Sequence, residues 1–349
     1  MREGKFFVPT CNKVPLCCVK GTAQSAMRNY ELRITNYELI YTAVNNFIEI
    51  SDVVKQYDGH LALDHVSMNV PQGCIYGLLG PNGAGKTSLI RIINRITHQD
   101  SGTVMLDGRA ITDDDVAHIG YLPEERGLYK KMKVGDQIVY LARLKGMDKT
   151  SATGEMLQWL ERFDLGEWRD KKLEALSKGM QQKVQFIATV IHRPRLLIFD
   201  EPFSGFDPVN ADQLKAEILR LKQEGSTVLF STHNMESVEA ICERITLINH
   251  SRVVLEGSVD DIRQQHKQGI LAVDLARGET LQPCDTLYTL LPAAMGSRET
   301  LVRLNPGVSM HDAIAWLNDH YALAGFHEIL PSMHDIFVNT VKDQNHGQA

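Results

Sequence analysis

Eight residues, Gly80-Pro81-Asn82-Gly83-Ala84-Gly85-Lys86-Thr87, restrict the folds open to this chain more than any other stretch. They satisfy the pattern G-x-x-x-x-G-K-[ST]. The apolar run Ile75 to Leu79 precedes them and Ser88-Leu89-Ile90-Arg91-Ile92-Ile93 follows at helical spacing, so a buried strand, a tight loop and a helix are predicted in that order. Glycines let the loop curl until several backbone N–H groups face one point, and the helix aims its N-terminus at the same point. A phosphate group suits that arrangement. Lys86 adds an ammonium for the β- and γ-phosphates, and the Thr87 hydroxyl is a ligand for Mg²⁺.

Two more continuous apolar runs, Leu196 to Phe199 and Thr227 to Phe230, are flanked by helical stretches and read as strands buried on both faces of a parallel α/β sheet. The first ends in Asp200-Glu201. Behind a phosphate loop, paired acids at a strand end put one carboxylate on a metal and the other beside an attacking water, which points to a nucleotide hydrolase. Before the loop the pattern differs: Phe47 to Ile50 alternates, as do Val66, Met68 and Val70 with Ser67 and Asn69, predicting a half-buried antiparallel sheet. Residues 125 to 185 show no strand, while Val134, Ile138, Leu141, Leu144 and Met156, Leu160, Phe163 fall at helical spacing. A hairpin is expected through His250-Ser251. Beyond residue 260, strand candidates at Leu271 to Leu275 and Leu301 to Leu304, with helices near 311 to 319 and 332 to 342, suggest a small α+β appendage.

Composition enters by exclusion. A net charge of −6 without a dominant Lys/Arg run gives no footprint for nucleic acid. No apolar stretch approaches the roughly 18 to 20 residues of a membrane-crossing helix, so any membrane role requires other chains. The cysteines at 11, 17, 18, 74, 242 and 284 form no CxxC pair and read as free thiols. Residues 1 to 46 carry six basic and three acidic residues without sustained periodicity, and are expected to be a disordered extension upstream of the folded core.

With these residues in view the chain resembles an ATP-binding cassette (ABC) ATPase over residues 47 to 258. Leu176-Ser177-Lys178-Gly179-Met180-Gln181-Gln182-Lys183 is similar to the family signature, Ser204-Gly205-Phe206-Asp207 to its D-loop, and Ser231-Thr232-His233 to its switch segment. The resemblance implies Glu201 as general base, with Lys86 and His233 at the γ-phosphate. ATP would be held by Gly80 through Thr87 and Ser88, with Tyr57 stacked on adenine, and Mg²⁺ by Thr87, Asp200 and Glu124. Glu124 stands where the family generally has glutamine, and Lys178 and Met180 also depart from the commonest signature. Ser177, Gly179 and Asp207 would meet ATP from a second copy in a sandwich dimer. The variants resemble sodium-efflux and drug-exporter ATPases that pair with type 2 membrane subunits, implying a motor at the inner face of the membrane.

The expected fold is therefore a P-loop NTPase core of ABC type over 47 to 260, with an antiparallel β subdomain, a helical insertion at about 125 to 185, and a C-terminal α+β accessory domain at 261 to 349. The competing function is a soluble cassette ATPase acting on a macromolecular complex. Such proteins carry tandem cassettes, coiled-coil insertions or basic arms, and the single phosphate loop and acidic balance here argue for the transporter subunit.

Overall fold

A computed structural model describes residues 45–125, 127–204, 206–276, 279–292 and 299–346, with side chains as far as residue 342. The extension expected at 1 to 46 lies outside the described residues except for its last two, and Asn46 already pairs with Pro71. Strands β1 (Asn46–Tyr57) and β2 (His60–Pro71) form a hairpin, joined on the far side of β1 by β4 (Ser101–Leu106) and β5 (Arg109–Ala110). The expected alternation is present in β2, where Val66, Met68 and Val70 are buried and Ser67 and Asn69 exposed.

The second sheet has the order β10-β9-β3-β8-β7-β6, with β3 (Ile75–Leu79), β6 (Ile119–Leu122), β7 (Leu196–Asp200), β8 (Thr227–Thr232), β9 (Arg244–Asn249) and β10 (Arg252–Ser258). Its strands run parallel except β10, which returns antiparallel to β9 through His250 and Ser251, both at positive φ. The continuous apolar runs follow from burial on both faces. On β7, Leu197 and Phe199 pack with the helical insertion, whereas Leu196 and Ile198 pack with the antiparallel sheet and with helix α1 (Lys86–Ile93). Each such side chain taken from water contributes about 1.5–3 kcal/mol, so both layers are fixed against the sheet whose strand ends carry the site.

The insertion holds α2 (Val134–Leu144), α3 (Lys149–Arg162) and the start of α4 (Lys178–Val190). Aromatic rings link it to the sheet, with centroid distances of 5.7 Å for Phe163–Phe186 and 5.6 Å for Phe186–Phe199. One detail differs from the sequence pattern. The buried face of α2 is Val134, Ile138 and Ala142, while Leu144 is 65% exposed. Small Ala142 continues the i, i+4, i+8 row, so Leu141 and Leu144 turn toward a groove.

Helices α5 (Pro208–Gln223), α6 (Met235–Ile241) and α7 (Val259–Gln265) complete the main body. Beyond it, β11 (Ile270–Leu275), β12 (Tyr288–Leu290), β13 (Thr300–Leu304) and β14 (Leu323–Ile329) form an antiparallel sheet that packs against α8 (Met310–His320). Strands β12 and β14 escaped the sequence pattern. The last helix, α9 (Met333–His346), returns to the main core through Met333 and Ile336, and Met333 N–H donates to Glu239 Oε1 at 2.6 Å.

Candidate nucleotide site

The C-terminal ends of β3, β7 and β8 lie side by side, with Leu79 paired to Thr232 and Asp200 to Ser231. Three segments distant in sequence therefore open at one edge of the parallel sheet, where α/β folds hold ligands. The first is the glycine loop. Gly80 has φ +147° and a Cβ there would stand 2.1 Å from the Ile248 carbonyl oxygen. Gly85 has φ +113° and its Cβ would meet the Ala62 carbonyl oxygen at 2.3 Å. Both positions require glycine because backbone approaches backbone. Lys86 Nζ donates to the carbonyls of Gly80 at 2.7 Å and Pro81 at 3.1 Å, curling the loop around the ammonium.

From β7 come the two carboxylates. Ser231 Oγ donates to Asp200 Oδ1 at 2.6 Å, and Thr87 Oγ1 to Asp200 Oδ2 at 3.4 Å, which joins the loop to the acid. Glu201 has φ +50°, a conformation costing a non-glycine residue about 1–3 kcal/mol. That turn brings its carboxylate to β8. His233 N–H donates to Glu201 Oε1 at 2.9 Å, His233 Nδ1 lies 2.6 Å from the same oxygen, and Thr232 Oγ1 donates to Oε2 at 3.2 Å. Such a carboxylate is oriented to accept a proton from a water placed beside it.

These groups share a cavity of about 320 Å³ lined by Tyr57, His60, Ala62, Asn82, Gly83, Gly85, Lys86, Thr87, Ser88, Glu124, Asp200 and Glu201. Burial pulls the Lys86 ammonium below its usual range, opposed by Glu201, Asp200 and Glu124. Burial pushes the Asp200 carboxyl up, opposed by the Ser231 hydrogen bond. Three carboxylates facing one ammonium leave negative charge in excess, and Thr87, Asp200 and Glu124 supply the hard oxygen donors that a divalent cation takes. Gln185 Nε2, on the signature helix α4, donates at 3.3 Å to the carbonyls of Pro123 and Glu125, fixing the backbone on both sides of Glu124.

A profile of the ABC transporter family matches residues 63–204. YhaQ of Bacillus subtilis (strain 168), an uncharacterized ABC transporter ATP-binding protein, is 40% identical over 295 residues, covering 84% of this chain and 98% of that protein. The chain belongs to the ABC transporter ATP-binding proteins. DrrA of Streptomyces peucetius, a daunorubicin/doxorubicin resistance ATP-binding protein, is 32% identical over 246 residues, 69% of this chain and 74% of DrrA. The solved structure of an ATP binding subunit of an ABC transporter superposes with a TM-score of 0.59 at 28% identity, covering 63% of this chain and 92% of that one. The α/β cassette expected from the sequence is thus the fold observed, and this ABC ATP-binding protein is an ATPase.

Seven expected site residues do not line the cavity of this ABC cassette: Gly80, Pro81 and Ala84 belong to the loop that forms it and His233 contacts Glu201, while Ser177, Gly179 and Asp207 stand apart. Ser177 caps α4, its Oγ accepting from Met180 N–H at 3.3 Å, and Gly179 has open space where a Cβ would be. Asp207 caps α5, accepting from Asn210 N–H at 3.1 Å, while Gly205 of the same segment lies outside the described residues. Gln182 Nε2 donates to the Ser204 carbonyl, tying the signature helix to the segment before Asp207. Conversely, the cavity includes His60, and Ser231 orients Asp200, although sequence reasoning assigned neither a role. The Asp58-Gly59 turn was the available signal, because it sets the register that pairs Tyr57 with His60.

Proposed function

We propose that this chain is the motor subunit of an exporter, binding ATP with Mg²⁺ and working as half of a sandwich dimer on membrane subunits of the type 2 kind. The observation that carries this reading is the division of the site. Lys86, Thr87, Asp200, Glu201 and Glu124 share one cavity, while Ser177 and Gly179 begin a helix outside it, presenting a helix N-terminus suited to a phosphate held by another copy. The exporter class rests on relatives such as DrrA, named for drug resistance.

In the proposed reaction, Tyr57 stacks on adenine and the loop N–H groups with Lys86 hold the phosphates. Glu201 takes the proton of the attacking water, while His233 contacts the γ-phosphate. Thr87, Asp200 and Glu124 would hold Mg²⁺, which would supply positive charge against the phosphates. Closing the dimer places Ser177 and Gly179 of the second copy on the same nucleotide, and hydrolysis reopens it.

The membrane subunits contact the helical insertion, beside a groove of about 310 Å³ that includes Leu141, Leu144 and Ile96. Leu144 and Ile96 are 65% and 61% exposed, and no helix among the described residues is long and apolar enough to cross a membrane. Fractionating cells that express the tagged chain at native level tests this reading. The chain is expected to sediment with membranes and to be released by an alkaline wash, as a peripheral subunit would be. Sedimentation with ribosomes or recovery entirely in the soluble fraction would instead support the non-transport cassette.

A further inference from the structure

Tyr57, at the end of β1, is the aromatic wall of the nucleotide cavity, and the residue is 37% exposed. Lys55, two residues earlier on β1, projects from the same face of the strand. Its ammonium stands 5.2 Å from the centroid of the Tyr57 ring, yet Lys55 does not line the cavity. The Lys55 side chain is only 14% exposed, so it occupies a set position behind the ring.

Asp100, in the segment before β4, holds that position. Its Oδ1 accepts from Lys55 Nζ at 2.7 Å and its Oδ2 from Gln56 N–H at 2.7 Å, while its own N–H donates to the Val54 carbonyl at 2.8 Å. Three consecutive residues leading into Tyr57 are therefore pinned by one aspartate. A cation over one face of an aromatic ring draws on its π density, and the opposite face then receives an electron-rich purine on favourable terms.

We propose that Lys55, held by Asp100, is a positioning residue that braces Tyr57 from behind and sets the strength of base stacking. The inference rests on Tyr57 being the adenine platform. It predicts an effect on nucleotide affinity with little effect on turnover, because neither Lys55 nor Asp100 faces the phosphates. Stacking is also tolerant of base identity, so ATP and GTP should be affected alike.

The test is a double-mutant cycle on the full chain, reading Kd by calorimetry for ATP and GTP together with KM and kcat for ATP. Tyr57→Ala should raise Kd. Lys55→Met, which keeps the aliphatic stem and removes the charge, should raise Kd and KM about three- to tenfold with kcat retained. Asp100→Asn should shift them in the same direction by less, and Lys55→Arg should restore them. In the Tyr57→Ala background Lys55→Met should have no further effect. An equal effect of Lys55→Met with and without the Tyr57 ring would overturn the brace and assign Lys55 to the phosphates. A rise in Kd for Tyr57→Ala with none for Lys55→Met would overturn the brace while leaving the platform standing. If Tyr57→Ala leaves Kd unchanged, the platform itself fails and the brace with it.

Discussion

In the proposed mechanism the strand-end cavity and the start of the signature helix both meet a phosphate, but only the cavity hydrolyses one. In the cavity the loop, two strand ends and a hairpin tip converge, and Asp200 and Glu201 are fixed by hydrogen bonds from Ser231, Thr232, His233 and Thr87. At the start of α4 there is a serine cap, an uncrowded glycine and a helix N-terminus, with no carboxylate base among them. The difference teaches that chemistry and closure are separated within the chain. Under the proposed mechanism one region performs the reaction, and the other completes a site that already holds ATP. Gln182 and Gln185 of α4 link the two, reaching Ser204 and the backbone flanking Glu124.

Removing the base should sharpen this contrast most. Glu201→Gln keeps the shape and the phosphate contacts but cannot accept the proton, so kcat should fall about 10²- to 10⁴-fold while ATP binding persists. Steady-state turnover and nucleotide titration check both halves of the expectation, and near-normal turnover would place the base elsewhere. Glu124→Gln should act far less. The amide keeps the size and one oxygen donor, and the carboxylate that hydrogen-bonds to neither Lys86 nor Thr87 contributes chiefly charge. Turnover is expected within about tenfold of the parent, under ~1.4 kcal/mol of barrier, with a shifted Mg²⁺ optimum. Complete loss of activity would show that a negative charge is required at that point.

How much of this was legible in the sequence depended on whether a function is local. Gly80 to Thr87 and Asp200-Glu201 are contiguous, and their flanking apolar runs named the strands that deliver them. Tyr57 rests on the family resemblance, and the structure puts it in the same cavity. His60 was legible only through the Asp58-Gly59 turn, whose hairpin register sets it opposite Tyr57. Ser231 carried a motif but not its contact with Asp200, which exists only once β7 and β8 pair. The Asp100–Lys55 pair spans 45 positions and left no periodic trace. Strand β14 escaped because Leu323 to Ile329 is a half-exposed strand at the sheet edge containing Gly325, with no regular alternation to mark it. The helix α2 was legible but its full buried face was not, for a related reason: Ala142 is too small to stand out in an apolar pattern, yet it is buried while Leu144 is not.

The central claim is that each working site combines the cavity of one copy with the signature helix of another, and mixing two disabled chains tests it most directly. Lys86→Ala damages the cavity and Ser177→Arg blocks the helix start, so each homodimer has a lesion in every site and should be nearly inactive. In the mixed dimer one site collects both lesions and the other is assembled from intact Lys86 and intact Ser177. Turnover of the mixture should therefore rise well above either parent. A mixture that stays at the parental level would contradict the shared site.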